Sequence, residues 1–122
     1  VKHLKPNLLC GVPYTALPMA TAISLEQNLP MVMCRKEIKE YGTKKQIEGV
    51  FKPSQECLIV EDVVTTGGSV LQIAESLKKH DLQVKDIVVL VDRQQGAKAA
   101  LFAAGYQLHS VYTLDEIIDT HA

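Results

Sequence analysis

Leu58-Ile59-Val60-Glu61-Asp62-Val63-Val64-Thr65-Thr66-Gly67-Gly68-Ser69-Val70 is the stretch on which the fold turns. The apolar run Cys57–Val60 has the length and β-branched content of a buried central strand, and it leads directly into the acid pair Glu61-Asp62. Thr65 to Ser69 is a loop of small residues. Val70–Lys79 then places Val70, Ile73, Ala74 and Leu77 on one helical face. A buried strand, a tight loop and an amphipathic helix in that order form one strand-to-helix unit of an α/β fold.

The same alternation extends in both directions. Upstream, Leu8–Val12 reads as a buried strand stopped by Pro13, and Ala16–Gln27 as a helix with Leu17, Ala20, Ile23 and Leu25 at helical spacing. Pro18 is compatible with the first turn of that helix, and Asn28 and Pro30 close it. Met31–Cys34 is the next strand, and Ile47–Phe51 a short one followed by a Lys52-Pro53-Ser54 turn. Downstream, Asp86–Val91 is almost wholly apolar, as expected of a strand covered on both faces. Lys98–Ala104 predicts a helix ended by Gly105, Leu108–Tyr112 a last strand, and Thr113-Leu114-Asp115-Glu116 a capping box opening a final helix. The expected fold is α/β, an open and mainly parallel sheet with helices on both faces, and residues 1–122 read as one domain.

Composition narrows the function classes. With 122 residues, 47% hydrophobic and 22% charged, the chain has the makeup of a packed domain and not of a disordered tail. A net charge of -1 argues against nucleic acid or an anionic membrane as a partner over a whole face. No apolar run reaches the roughly 20 residues of a membrane helix. Cys10, Cys34 and Cys57 are odd in number and lie in or beside apolar runs, which suits buried free thiols in a reducing compartment. The positive charge is concentrated in Arg35–Lys45, where Arg35, Lys36, Lys39, Lys44 and Lys45 outnumber Glu37 and Glu40 around Gly42. Taken alone, such a run is a solvated loop. His3, His80, His109 and His121 have no metal-ligand spacing and read as surface or packing residues. The first residue is Val1, with no basic-then-apolar signal pattern after it, so the chain is expected to begin inside a longer parent.

The chemistry follows from position. In open α/β sheets ligands bind at the carboxyl ends of the strands, which is where Glu61 and Asp62 stand. Backbone N–H groups at a helix start, in a loop free of bulky side chains, form a cradle for a phosphate. Gly67 and Gly68 permit close approach, and Thr65, Thr66 and Ser69 add hydroxyl donors. Two carboxylates beside a phosphate would repel it, unless they bind ribose hydroxyls or hydrated Mg²⁺. The plainer reading is a turn with capping hydroxyls and solvent-facing acids. Neither a Walker loop nor a GxGxxG pattern is present.

The complete block resembles the signature with which type I phosphoribosyltransferases bind 5-phospho-α-D-ribosyl 1-diphosphate (PRPP). Arg35-Lys36-Glu37-Ile38-Lys39-Glu40-Tyr41-Gly42 is similar to the mobile catalytic loop of the orotate phosphoribosyltransferases. Asp92-Arg93-Gln94-Gln95-Gly96 resembles their orotate-contacting segment, and Gly11-Val12-Pro13-Tyr14-Thr15-Ala16-Leu17-Pro18 their pyrophosphate loop. Thr15 stands where bacterial members usually carry Lys, and Tyr41 where they usually carry His. Both departures resemble the first domain of animal bifunctional UMP synthases, which a decarboxylase domain follows. The family's N-terminal hood elements have no counterpart in this stretch.

The resemblance implies an enzyme that transfers ribose 5-phosphate from PRPP to orotate, giving orotidine 5-monophosphate and pyrophosphate with Mg²⁺. It implies PRPP contacts from Tyr14, Arg35, Lys36, Lys39, Tyr41, Glu61, Asp62, Val63, Val64, Thr65, Thr66, Gly67, Gly68 and Ser69. Lys39 and Asp62 would be the catalytic residues, and Thr65 and Arg93 would contact orotate. The ion would be held by PRPP and reach Glu61 and Asp62 through water, with no direct protein ligand. A cytoplasmic homodimer is implied, its mobile loop reaching into the neighbouring subunit. A PRPP-binding regulator without activity would keep the Glu61–Ser69 cradle but would not need Lys39 or Arg93. A phospho-receiver domain would want a lysine on a later strand, which Leu108–Tyr112 lacks.

Overall fold

A computed structural model describes residues 4–35 and 47–121. In chain order these form β1 (Leu8–Gly11), α1 (Leu17–Gln27), β2 (Met31–Cys34), β3 (Ile47–Glu48), β4 (Glu56–Val64), α2 (Gly68–Lys79), β5 (Gln83–Asp92), α3 (Ala97–Ala103), β6 (Gln107–Thr113) and α4 (Leu114–His121). The strands make one sheet ordered β3-β2-β1-β4-β5-β6. Every pairing is parallel except that of β3 with β2.

Alternation along the strands sorts the core into two layers. Leu8, Cys10, Cys57, Ile59, Ile87 and Val89 pack on one face with Val70, Ile73, Ala74 and Leu77 of α2 and Ala97 and Leu101 of α3. Leu9, Leu58, Val60 and Val88 point the other way, toward Ala20 of α1. The two-sided cover follows from chain direction. From β1 the chain steps outward to β2, whereas from β4 it steps the opposite way to β5 and β6. Right-handed crossovers in opposite directions put their helices on opposite faces. The reversal lies between β1 and β4, and it is at the carboxyl ends of the strands beside such a switch point that these sheets bind ligands.

The deepest side chains, Ile73, Leu77, Ile87 and Leu101 among them, are at most 2% exposed. Truncating one to alanine would cost about 2–5 kcal/mol. Gly11 allows α1 to sit close on the sheet, because a Cβ there would lie 3.0 Å from both Ala20 Cβ and Leu17 Cδ2. Cys10, Cys34 and Cys57 are buried free thiols on three neighbouring strands. Hydrogen bonds with Cys34 and Cys57, and then burial, push the Cys10 thiol well above its ordinary pKa.

Several boundaries differ from the sequence reading. The strand expected over Ile47–Phe51 is only Ile47–Glu48, ended by Gly49 at φ 132° and followed by Val50, 88% exposed. Leu25 does not face the sheet; within α1 only Ala20 is fully buried. The helix expected to reach Ala104 has that residue as its C-cap. The capping box is present as expected: Thr113 N–H donates to Glu116 Oε1 at 3.1 Å, and Glu116 N–H to Thr113 Oγ1 at 3.3 Å. Among the described residues no helix is long and apolar enough to cross a membrane.

Candidate functional site

β4 does not stop at the acid pair but carries it inside the strand, as far as Val64. Glu61 is 3% exposed and Asp62 half-buried, so the acid pair lies just short of the strand's carboxyl end, and the plainer reading of solvent-facing acids fails for Glu61. Asp62 N–H donates to Glu61 Oε1 at 2.9 Å, and Val63 N–H donates to Asp62 Oδ1 at 2.8 Å. Each contact ties a carboxylate to the backbone of the next residue.

Glu61, Val63, Val64, Thr65, Thr66, Gly67, Gly68, Ser69 and Val70 line a cavity of about 140 Å³. That is room for roughly five waters, or for one phosphate group with part of its shell. Gly67 is the N-cap of α2 at φ 93°, a left-handed conformation that L side chains rarely adopt. A Cβ on Gly67 would come within 3.3 Å of Ala97 Cβ, so this glycine also lets α3 close in from behind. A Cβ on Gly68, by contrast, would meet nothing within 4 Å. Among the described residues no side chain caps α2, so its first-turn N–H groups have no side-chain acceptor and belong to residues that line the cavity. The helix dipole adds its positive end there. Hydroxyls, amides and dipole together suit an anion.

The neighbouring turns are stitched to this one. Arg93 N–H donates to the Val64 carbonyl at 3.0 Å, which fixes the exposed Arg93 beside the cavity wall. Val12 N–H donates to the Val60 carbonyl at 3.2 Å, tying the start of the next loop to the middle of β4. In that loop the Pro13–Tyr14 peptide is cis, and Tyr14 is 84% exposed. Arg35, just beyond β2, pairs through Nη2 with Glu48 Oε1 of β3 at 2.6 Å. An ion pair this open to solvent contributes at most about 1 kcal/mol. The structure thus gathers Tyr14, Arg35, Glu61 to Ser69 and Arg93 at the carboxyl edge of the sheet. Lys36, Lys39 and Tyr41, with the rest of the basic run after Arg35, lie outside the described residues.

Among the described residues no group of three or more His, Cys, Asp or Glu side chains is placed to hold a metal ion. Glu61 and Asp62 are nevertheless hard oxygen donors of the kind that reach a hydrated Mg²⁺ through its waters. Two histidines are structural: His80 Nδ1 lies 2.9 Å from the Ser76 carbonyl at the end of α2, and His109 Nε2 pairs with Asp86 Oδ1 at 2.7 Å. Larger surface hollows of about 500 and 470 Å³ lie toward the opposite end of the strands, lined by residues such as Lys85 and Gln83 or Phe102 and Tyr106. They do not share the anion-binding groups at the start of α2.

Three side chains make contacts that the sequence reading did not foresee. Glu48 meets Arg35 only through the β2–β3 register. Asp92, 5% exposed, shapes its own turn by accepting the Gln94 N–H at 2.8 Å. Gln94 Oε1 in turn accepts the Asp115 N–H of α4 at 2.9 Å. Opposite charge was the only available signal for Glu48, and nothing local marks Gln94, whose partner lies 21 residues away.

This geometry has close counterparts. The uridine 5'-monophosphate synthase of Bos taurus is 54% identical over 112 residues, which cover 92% of this chain and 23% of that protein. A crystal structure of orotate phosphoribosyltransferase from Aeropyrum pernix superimposes with a TM-score of 0.87 at 34% identity, covering 96% of this chain and 66% of that one. The orotate phosphoribosyltransferase of Mycobacterium tuberculosis, solved in complex with PRPP, gives a TM-score of 0.76 at 29% identity, covering 95% and 67%. The chain spans 23% to 55% of the length of the first curated relatives it matches. The model of the phosphoribosyl transferase domain matches residues 2–104, spanning the three stitched turns and both sides of the switch point. The chain belongs to the phosphoribosyl transferase domain family.

Proposed function

We propose that this chain forms the PRPP- and orotate-binding core of an orotate phosphoribosyltransferase. It would transfer ribose 5-phosphate from PRPP to orotate and release pyrophosphate, in the synthesis of UMP. The observation that carries this reading is the bond from Arg93 N–H to the Val64 carbonyl, which joins a cationic fork to the wall of an anion cradle. A planar guanidinium there suits the carboxylate or paired carbonyls of an acidic pyrimidine. Thr65 is the natural link between the two, since it lines the cavity next to Val64.

In this reading the amides and hydroxyls of Thr65, Thr66, Gly67, Gly68 and Ser69 hold the 5-phosphate. Backbone groups of Val63 and Val64 shape the same wall. Glu61 and Asp62 hold the ribose hydroxyls, and Asp62 stabilises the positive charge that grows on the ring as pyrophosphate leaves. Tyr14, Arg35, Lys36, Lys39 and Tyr41 serve the pyrophosphate end, with Lys39 neutralising charge on the departing group. Bound Mg²⁺ would supply Lewis-acid charge neutralisation at the diphosphate, near Glu61 and Asp62. Holding two anions and a sugar in one orientation is most of what the reaction requires. The proposal includes a cytoplasmic homodimer, and the similarity to a UMP synthase supports a parent chain that also carries a decarboxylase domain.

The test is orotate consumption followed by its ultraviolet absorbance, with PRPP and MgCl₂, for wild type and Asp62→Asn. Turnover that drops at least about a hundred-fold in the variant, with an unchanged circular dichroism spectrum, supports the reading. Binding of PRPP without any orotate turnover would select a regulator of the same fold, and binding of neither would overturn both.

A further inference from the structure

We propose that Glu48 is the resting counter-ion of Arg35, and that its carboxylate limits how tightly the protein holds a pyrophosphate group. The inference rests on the reading of Arg35 as a pyrophosphate contact. Arg35 follows the carboxyl end of β2, next to the carboxyl end of β1 and its Val12–Tyr14 turn, so it stands on the ligand edge of the sheet. Glu48 reaches that edge from the one antiparallel strand among those described. Its register partner is Met33, which makes Arg35 its diagonal neighbour two residues on. The adjacent pair Cys34 and Ile47, 0% and 4% exposed, anchors both strands in the core. The carboxylate is therefore held in place and does not wander on a loop.

The contact has the properties of an exchangeable partner. It is short, with Arg35 Nη2 and Glu48 Oε1 2.6 Å apart, and it uses a guanidinium that a diphosphate would want. Both side chains are about two-fifths exposed, at 43% and 41%. Water and incoming anions can reach them, and a solvated pair of this kind is easily replaced. An arriving pyrophosphate must take the guanidinium from Glu48 and then sit beside a fixed negative charge. Both effects weaken its hold. In an enzyme that releases pyrophosphate, a residue with this action favours departure of the product. Glu48 is then a positioning residue and not a catalytic one.

Isothermal titration of inorganic pyrophosphate with MgCl₂, at fixed ionic strength, tests the idea in wild type, Glu48→Gln, Glu48→Thr and Arg35→Ala. Glutamine preserves the shape of an exposed carboxylate, and threonine suits an edge strand, so at least one variant is expected to fold. Both Glu48 variants should bind pyrophosphate about three- to ten-fold more tightly, a gain that shrinks as salt is raised. Inorganic phosphate, which probes the α2 cradle, should bind all four proteins alike. A purely structural role for the pair would leave pyrophosphate affinity unchanged or weaken it, and either result overturns the proposal. Arg35→Ala should weaken pyrophosphate binding about ten-fold or more. If it does not, Arg35 is no pyrophosphate contact, and that earlier assignment falls together with the counter-ion role. If it does while the Glu48 variants bind no tighter, only the counter-ion role is lost.

Discussion

Two successive strand-to-helix turns, Val64–Gly68 and Asp92–Ala97, are built by the same backbone device and put to different use. Each ends in a glycine N-cap in the left-handed region, Gly67 at φ 93° and Gly96 at φ 102°, and neither helix start receives a side-chain cap. The first turn leaves its helix amides around a cavity of about 140 Å³. In the second, Asp92 accepts from Gln94 N–H, and Gln94 Oε1 reaches past the turn to accept from Asp115 N–H of α4. Surroundings differ as well: a Cβ on Gly67 would press on Ala97, whereas one on Gly96 would meet nothing within 4 Å. Similar backbone geometry therefore lines a cavity in one place and, in the other, carries the exposed Arg93 and a side-chain bond to α4. The difference lies in what each turn packs against and which elements it ties together.

The hardest test of that contrast fills the first turn with charge. Gly68→Asp places a carboxylate where a Cβ has free space, and at a helix start where an acid is favourable. Affinity for inorganic phosphate and PRPP should fall by about a hundred-fold or more in calorimetry, while the melting temperature stays level or rises slightly. Unaltered affinity would mean that the cradle is not the phosphate site. Arg93→Ala addresses the second turn: orotate affinity should drop about ten- to a hundred-fold, the loss of a charge-assisted hydrogen bond worth about 1.5–3 kcal/mol. PRPP binding should be spared, and equal loss for both ligands would make Arg93 structural.

Stability measurements sharpen the comparison further. Gly67→Ala and Gly96→Ala carry the same penalty of about 1–2 kcal/mol for a left-handed backbone. Only Gly67→Ala adds crowding against Ala97, so urea unfolding should rank it as the more damaging by about 1 kcal/mol. Equal losses would show that α3 shifts to make room. The smallest effect belongs to Gln94→Ala, which strips the acceptor from Asp115 N–H at the start of α4. It should cost about 0.5–1.5 kcal/mol. It should also raise amide exchange in α4 without touching α2.

Much of this was written in local sequence. The run from Leu58 to Val70 announced strand, turn and helix together, because apolar periodicity and glycine placement are short-range signals. Thr113 and Glu116 announced their capping box for the same reason. What stayed hidden depends on distant neighbours. Leu25 is the exception, since its place is local: two residues after Ile23 and five after Ala20, it lies off the face they share and is 78% exposed. The burial of Glu61 was not legible because sequence does not show that the strand continues through it to Val64. The partnership of Glu48 with Arg35 needs a register, and a two-residue strand is too short to declare one.

The position of β1 carries a kinetic consequence. Its partner on one side is β2, close in sequence, but on the other it is β4, with Leu8 opposite Cys57 and Asn7 N–H donating to the Glu56 carbonyl at 2.8 Å. The middle of the sheet thus joins segments nearly fifty residues apart, and parallel pairing over such a separation is slow because the intervening loop must close first. During synthesis β1, α1 and β2 leave the ribosome with one edge of β1 bare and Cys10 still without the cover of α2. The switch point between β1 and β4 comes into existence only when this long-range seam zips. The part of the molecule that meets the ligand is therefore among the last to form, and the nascent chain is most prone to mispairing with its neighbours just before that moment.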